Sequence, residues 1–187
     1  AGESVCLALG DNIFHSPSLT GALKKAAAGN RGGTVFGYYV DDPRPFGVVE
    51  FDAQGRAVSI EEKPQTPKSN YIIPGLYFYD SSVISIARGL TPSARGELEI
   101  TDVNLEYLRR GALDVLPLSR DTVWLDAGTA DSLLSAAQTI QALQAGGQYV
   151  SCIEEAALRE GWITAEEAHA VGQGMANTNY GRHLLAL

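Results

Sequence analysis

Between Ser4 and Val40 the hydrophobic pattern changes period twice, and this switch constrains the fold more than anything else in the chain. Ser4 to Leu9 is a continuous apolar run, the pattern of a strand buried on both faces in a parallel sheet. Ser18 then stands as an N-cap for a helix carrying Leu19, Leu23, Ala26 and Ala27, with Gly29 as its stop. Thr34 to Val40 returns to strand, rich in β-branched and aromatic residues. A strand, a helix and a second strand in succession require a sheet covered by helices, the α/β class.

The rest of the chain continues the alternation. Gly47 to Phe51 and Ala57 to Glu61 flank Asp52-Ala53-Gln54-Gly55, a hairpin with glycine supplying the turn. Ile72 to Tyr79 predicts another strand. Ser82 to Arg88 predicts a helix ending at Gly89, and Asp102 to Arg110 one that is N-capped by Thr101 and ends at Gly111. Val115 to Leu118 and Val123 to Leu125 are short apolar strands. The longest helix, Thr129 to Ala145, places Leu133, Leu134, Ala137, Ile140 and Leu143 at helical spacing and stops at Gly146-Gly147. A short helix, Glu154 to Glu160, precedes the capping box Thr164-Ala165-Glu166-Glu167. The expected division is a partial catalytic domain over 1–145 and a helical extension over 146–187.

Composition excludes several classes. The 187 residues are 45% hydrophobic and 19% charged, enough for one sizeable core. A net charge of −8 without any Lys/Arg block argues against nucleic acid, whereas nucleotides need only a few local positive groups. No apolar stretch approaches the roughly 20 residues of a membrane-crossing helix, and no leader pattern appears, so the expectation is a cytoplasmic protein. Cys6 reads as a small buried hydrophobe, and Cys152 stands far from it, so neither a disulfide framework nor a zinc spacing is evident. His15, His169 and His183 have no partner at ligand spacing.

Two segments carry chemistry at their ends. Leu9-Gly10-Asp11-Asn12 and Trp124-Leu125-Asp126-Ala127-Gly128-Thr129 each put an aspartate where an apolar strand runs into a glycine-marked turn. At the C-terminal edge of a parallel sheet, two such carboxylates share one hard divalent cation and offer it to phosphate oxygens. Taken singly, each aspartate also fits a turn or a helix cap. Glu61-Glu62-Lys63-Pro64 closes the second hairpin strand, so Glu61 and Glu62 face opposite sides. A carboxylate beside an ammonium suits a sugar phosphate, the first accepting from hydroxyls and the second meeting phosphate oxygens. The tetrapeptide reads equally as a polar strand end stopped by proline. Arg95, before Gly96, either approaches a phosphate or is a solvated loop charge. Neither GxGxxG nor GxxxxGK[ST] occurs, so either no nucleoside triphosphate binds here or the chain is the C-terminal portion of a longer enzyme.

These elements, with Phe46 to Phe51, Pro67-Lys68-Ser69-Asn70-Tyr71, Gly75-Leu76-Tyr77-Phe78-Tyr79-Asp80 and Arg95 to Asn104, stand in the order found in one family. The chain resembles the glucose-1-phosphate thymidylyltransferases, or dTDP-glucose pyrophosphorylases, over essentially its whole length. The resemblance implies a Rossmann-like nucleotidyltransferase sheet, incomplete at the N-terminus, with a β-hairpin sugar-binding insertion and C-terminal helices. Roughly 100 residues bearing the nucleotide loop, about three units at the ~30-residue βα scale, are expected upstream, and the chain alone is expected to be inactive. The implied reaction joins dTTP and glucose 1-phosphate into dTDP-glucose and pyrophosphate, the first step of dTDP-rhamnose synthesis, in a bacterial homotetramer. By the same resemblance Asp11 and Asp126 would hold Mg²⁺. Lys63 and Arg95 would contact the sugar phosphate, with Lys63 also catalytic, while Gly47, Glu62, Ile73 and Tyr77 would line the glucose pocket. Glu155 and Arg159 are implied at a regulatory site. UDP-, CDP- and ADP-glucose pyrophosphorylases share the Asp and Glu-Lys-Pro elements and remain alternatives. A non-catalytic sugar-nucleotide module is another, and retention of both aspartates favours the enzyme. Phe46, Ala127, Ile73-Pro74 and Ile153 depart from the usual pattern without removing a charged group.

Overall fold

The structure, a computed structural model, describes residues 3–187, so the first two positions of the expected 1–145 segment lie outside the described residues. The chain forms β1 (Val5–Ala8), β2 (Asn12–His15), α1 (Leu19–Gly29), β3 (Gly33–Tyr39), β4 (Gly47–Phe51), β5 (Ala57–Glu62), β6 (Tyr71–Ile72) and β7 (Leu76–Tyr79). It continues with α2 (Val83–Arg88), α3 (Ile100–Arg109), β8 (Leu113–Pro117), β9 (Val123–Asp126) and α4 (Ala130–Ala145). The last helices are α5 (Ile153–Arg159), α6 (Ala165–Gly174) and α7 (Asn179–Leu185). The chain divides into two units, one through Leu133 and one from Leu134 to Leu187, with the boundary inside α4. No helix among the described residues is long and apolar enough to cross a membrane.

The first unit is an α/β layer structure, as expected. Seven strands form a mixed sheet in the order β1-β7-β3-β6-β4-β5, with β8 also on β3, and β2 pairs with β9 as a separate ribbon. Alternation of side chains along the strands builds two cores. Val35 of β3 with Tyr77 and Tyr79 of β7 face Ile86, Val103 and Tyr107 of α2 and α3. Phe36, Leu76 and Phe78, their sequence neighbours, point to the other face and pack on Ala26 of α1. Tyr77, Tyr79 and Tyr107 stack in series, with ring centroids 5.9 and 5.4 Å apart. The Tyr79 hydroxyl donates to the buried Asn104 Oδ1 at 2.6 Å, so the polar end of the stack is satisfied. Ser82 and Tyr107 donate hydrogen bonds to Asp80, and these hold its carboxyl below the usual carboxylate range.

Four local expectations are corrected. Among the described residues only β3 and β8 pair in parallel, and β1 runs antiparallel to β7. β1 is also exposed rather than buried, with Val5 and Leu7 at 43% and 40% exposure and Cys6 on the surface. Among the described residues it pairs with β7 alone, and an apolar run reads the same whichever way its neighbour runs. The expected strand from Ile72 to Tyr79 is broken into β6 and β7 at Ile73-Pro74-Gly75, because proline offers no ladder donor. The two pieces pair with successive stretches of β3, and the break points backbone groups elsewhere: Ile73 N donates to Gly47 O, and Gly75 N to Asn12 Oδ1. Thr101 is not the cap of α3, which starts two residues earlier than expected, at Ile100, with Glu99 in the cap position.

In the second unit α6 opens on the expected capping box, Glu167 N donating to Thr164 Oγ1 and Thr164 N to Glu167 Oε2. Helix α7, which the pattern does not announce, is capped by Thr178, whose Oγ1 accepts from Gly181 N at 2.9 Å. Helices α6 and α7 pack closely. A Cβ at Gly172 would meet Gly181 O at 3.1 Å, and one at Gly181 would fall 2.0 Å from Met175 O.

Candidate active site

The break before β7, the β2–β9 ribbon, the open end of the β4–β5 hairpin and the start of α3 enclose a cavity of about 590 Å³. It gathers Asp11, Gly47, Glu62, Lys63, Ile73, Tyr77 and Asp126, residues widely separated in sequence.

The aspartates meet for a reason other than the expected one. They do not end parallel strands. Asp11 precedes β2 and Asp126 ends β9, and antiparallel pairing sets Asn12 opposite Asp126, so the start of one strand lies beside the end of the other. The ribbon is closed beyond that pair by Ala127 N donating to Asp11 O at 2.7 Å. Both carboxylates converge on Gly128: a Cβ there would sit 3.3 Å from Asp11 Oδ2 and 3.4 Å from Asp126 Oδ1. Two carboxylates with no nitrogen or sulfur donor fit a hard cation such as Mg²⁺, which keeps several positions for water and phosphate. Asn12 anchors the arrangement. Its Oδ1 accepts from Gly75 N at 2.9 Å and Trp124 Nε1 at 2.7 Å, while its Nδ2 donates to Asp11 Oδ1 at 2.8 Å. Gly75 has to lack a side chain, since a Cβ would come within 2.8 Å of Asn12 Nδ2 and Leu9.

Glu62 closes β5 opposite Gly47 on β4. Its Oε2 accepts the Thr101 hydroxyl, and Arg95 Nη1 lies 3.8 Å from its Oε1, so both oxygens are oriented. A Cβ on Gly47 would lie 3.1 Å from Thr101 Oγ1 and 3.3 Å from Glu62 Oε2, which keeps that wall bare backbone. Glu61 points the other way, as expected, and pairs with Lys68 at 2.6 Å. Lys63 adopts φ 44, a left-handed conformation that costs a non-glycine residue on the order of 1–3 kcal/mol. Its N–H donates to Phe46 O at 3.0 Å, and this bond carries the chain out of the sheet and along the cavity. Burial, reinforced by the charges of Glu62 and Asp11, pushes the Tyr77 phenol well up, so it stays a neutral hydroxyl. Trp124 stands edge-on to Phe46, with centroids 5.2 Å apart, as an aromatic wall.

Arg95 is not part of the lining; Glu97 binds it at 2.5 Å, with Glu99 3.7 Å away. Glu155 and Arg159 belong to the second unit, where Glu155 pairs with His183 at 2.8 Å and Arg159 is exposed. Asn12, Thr101, Asn104 and Trp124 also line the cavity, and sequence reasoning gives them no part in the site. The motif around Asp11 already contains Asn12, but its three contacts depend on partners brought up by the fold.

A model of the nucleotidyl transferase family matches residues 1–142. The glucose-1-phosphate thymidylyltransferase of Neisseria meningitidis is 51% identical over 99% of this chain, and that of Mycobacterium tuberculosis 53% over 99%. The chain spans 65% and 64% of those relatives' lengths. A Bacillus anthracis crystal structure assigned to the same enzyme and complexed with sucrose is 42% identical with a TM-score of 0.64, over 74% of this chain and 55% of that one. A UDP-glucose pyrophosphorylase bound to UDP-glucose superposes with a TM-score of 0.65 over 74% of this chain and 56% of that one. At 19% identity, that likeness concerns the fold alone.

Proposed function

Because the chain belongs to the nucleotidyl transferase family, we propose that it supplies the metal and sugar-phosphate side of a glucose-1-phosphate thymidylyltransferase. The observation that carries this reading is one cavity that holds two converging carboxylates beside an oriented glutamate and a lysine. Asp11 and Asp126 would hold Mg²⁺, which supplies neutralisation of phosphate charge when bound. Glu62, held by Thr101, accepts from sugar hydroxyls. Bare backbone at Gly47 and the apolar side chain of Ile73 shape the space around the ring, with the neutral Tyr77 hydroxyl beside it. Lys63 places its ammonium on the phosphate side, with Arg95 behind Glu62. An oxygen of the sugar phosphate then attacks the α-phosphorus of dTTP in line; the new P–O bond forms as the bond to the β-phosphate oxygen breaks, and pyrophosphate leaves. Lys63 offsets the negative charge that builds on the transferring group.

Calorimetry and steady-state assays on the full-length protein test the sugar assignment. Loss of a charge-assisted hydrogen bond costs about 1.5–3 kcal/mol, so Glu62→Gln should weaken glucose 1-phosphate roughly 10- to 100-fold and leave dTTP nearly unchanged. An equal loss for both substrates would show that Glu62 does not read the sugar.

The same reading includes a cytoplasmic homotetramer that opens dTDP-rhamnose synthesis and carries a second nucleotide-sugar site. Arg159, exposed near the end of α5, suits a phosphate there, and the Glu155 carboxylate beside it is engaged by His183. Inhibition by dTDP-rhamnose should be relieved in Arg159→Ala with catalysis at saturating substrate unchanged. Undiminished inhibition would remove Arg159 from that role.

A further inference from the structure

Cys152, Glu155 and His183 offer one sulfur, one oxygen and one nitrogen that all lie within 4.8 Å of one another. Among the described residues no other group of three His, Cys, Asp or Glu side chains meets in this way. We propose that these three side chains bind a divalent cation of the zinc class, outside the catalytic cavity and independent of the reaction assigned to it.

The donors are those such an ion selects. Zinc takes sulfur at about 2.3 Å, imidazole nitrogen at about 2.0–2.1 Å and carboxylate oxygen at about 2.0–2.2 Å, which puts tetrahedral ligands roughly 3–4 Å apart. Small side-chain rotations within the observed cluster reach that spacing. Cys152 is 6% exposed, so its sulfur is shielded from solvent, while His183 and Glu155 retain partial access through which an ion can enter. The surroundings hold the ligands in place. The Tyr149 ring stacks on the His183 imidazole at 4.0 Å, and its hydroxyl donates to Asn179 O at 3.0 Å. The Tyr180 hydroxyl donates to Glu154, the residue next to Glu155. Outer contacts of this kind orient a metal's ligands. Cys152 occupies the cap position of α5, Glu155 lies in its first turn and His183 in the last turn of α7. An ion would therefore tie the start of one helix to the end of another. On binding, the Cys152 thiol releases its proton to water, and the hydrogen bond between His183 Nε2 and Glu155 Oε2 gives way to two metal bonds. Sequence spacing conceals the cluster, because His183 lies 28 residues beyond Glu155.

Cobalt is the probe. The 187-residue chain, stripped with a chelator under reducing, oxygen-free conditions, is titrated with Co²⁺. The expected result is an intense near-ultraviolet sulfur-to-cobalt charge-transfer band that saturates at one equivalent and is abolished by Zn²⁺. Asp11 and Asp126, as oxygen donors only, cannot produce that band. Cys6→Ser should keep it and Cys152→Ser should lose it. His183→Phe, which retains a ring against Tyr149, should weaken Co²⁺ binding by at least ~10-fold. Absence of the band in the unsubstituted chain, its loss in Cys6→Ser or its survival in Cys152→Ser overturns the proposal. Should Cys152→Ser fail to fold by circular dichroism, His183→Phe decides, and unchanged Co²⁺ affinity there overturns it as well.

Discussion

Asp126→Asn in the full-length protein is expected to lower turnover by at least about 10²–10³-fold while leaving the circular dichroism spectrum unchanged. Asparagine matches the shape of aspartate and can still accept a hydrogen bond, so the β2–β9 pairing is undisturbed. What it removes is one negative charge from a pair that converges on Gly128, and a hard cation is held mainly by that charge. Asp11→Asn should behave alike, with a second effect, since Asn12 Nδ2 donates to Asp11 Oδ1 and a neutral acceptor weakens the anchor. Because the two carboxylates act as a unit, the double variant should be scarcely worse than either single one. The Mg²⁺ requirement is the sharper readout. Each single variant should need far more Mg²⁺ for any residual rate, and near-normal activity at ordinary Mg²⁺ would end the assignment of these aspartates to a metal.

Gly181→Ala should produce the largest loss of stability in the helical unit. The added methyl would lie 2.0 Å from Met175 O and 2.3 Å from Met175 C, and a backbone carbonyl cannot swing away as a flexible side chain can. The connection between α6 and α7 has to shift, and with it Leu184, which is buried against its surroundings. Overpacking typically costs 1–3 kcal/mol, and a backbone clash belongs at or beyond the upper end. For a unit of this size about 3 kcal/mol corresponds to a melting temperature lower by roughly 10–20 °C. Gly174→Ala is the internal control, because nothing lies within 4 Å of the position its Cβ would take. Thermal melts followed by circular dichroism compare the two. If Gly181→Ala melted within a few degrees of the parent, the close approach of α6 and α7 described above would be wrong.

Local signals carried the reading wherever local physics decides. The β4–β5 hairpin was legible because Gly55, at φ 76, supplies a turn conformation that few other residues accept. The capping box of α6 was legible because its two hydrogen bonds join residues three apart. The split between β6 and β7 lay in plain view at Pro74, and the apolar run around it masked the break. The remaining differences are matters of partnership. Nothing in Val5 to Ala8 tells which strand will pair with it or in which direction, and nothing in Thr101 distinguishes a helix cap from a donor to Glu62, 39 residues earlier. Asp11 and Asp126 were recognisable as a pair from their glycine turns, but the antiparallel ribbon that joins them depends on which strands find each other. The residues most tightly woven into the site, Asn12 above all, make contacts to Gly75 and Trp124 that only the folded chain can bring together.

The hydrogen bond from Trp124 to Asn12 gives the chain an optical property that its chemistry does not require. There are two indoles, and they stand in opposite circumstances: Trp162 is 78% exposed, whereas Trp124 is half-sheltered in the cavity wall with its N–H committed to the side chain that steadies Asp11. Light emitted by Trp162 belongs to an indole in water and is extinguished by a dissolved quencher such as iodide. What survives the quencher comes from Trp124. Any occupant that draws on Asn12 or presses against the Phe46–Trp124 edge alters the colour and lifetime of that residual glow, so filling of the cavity can be watched without a label.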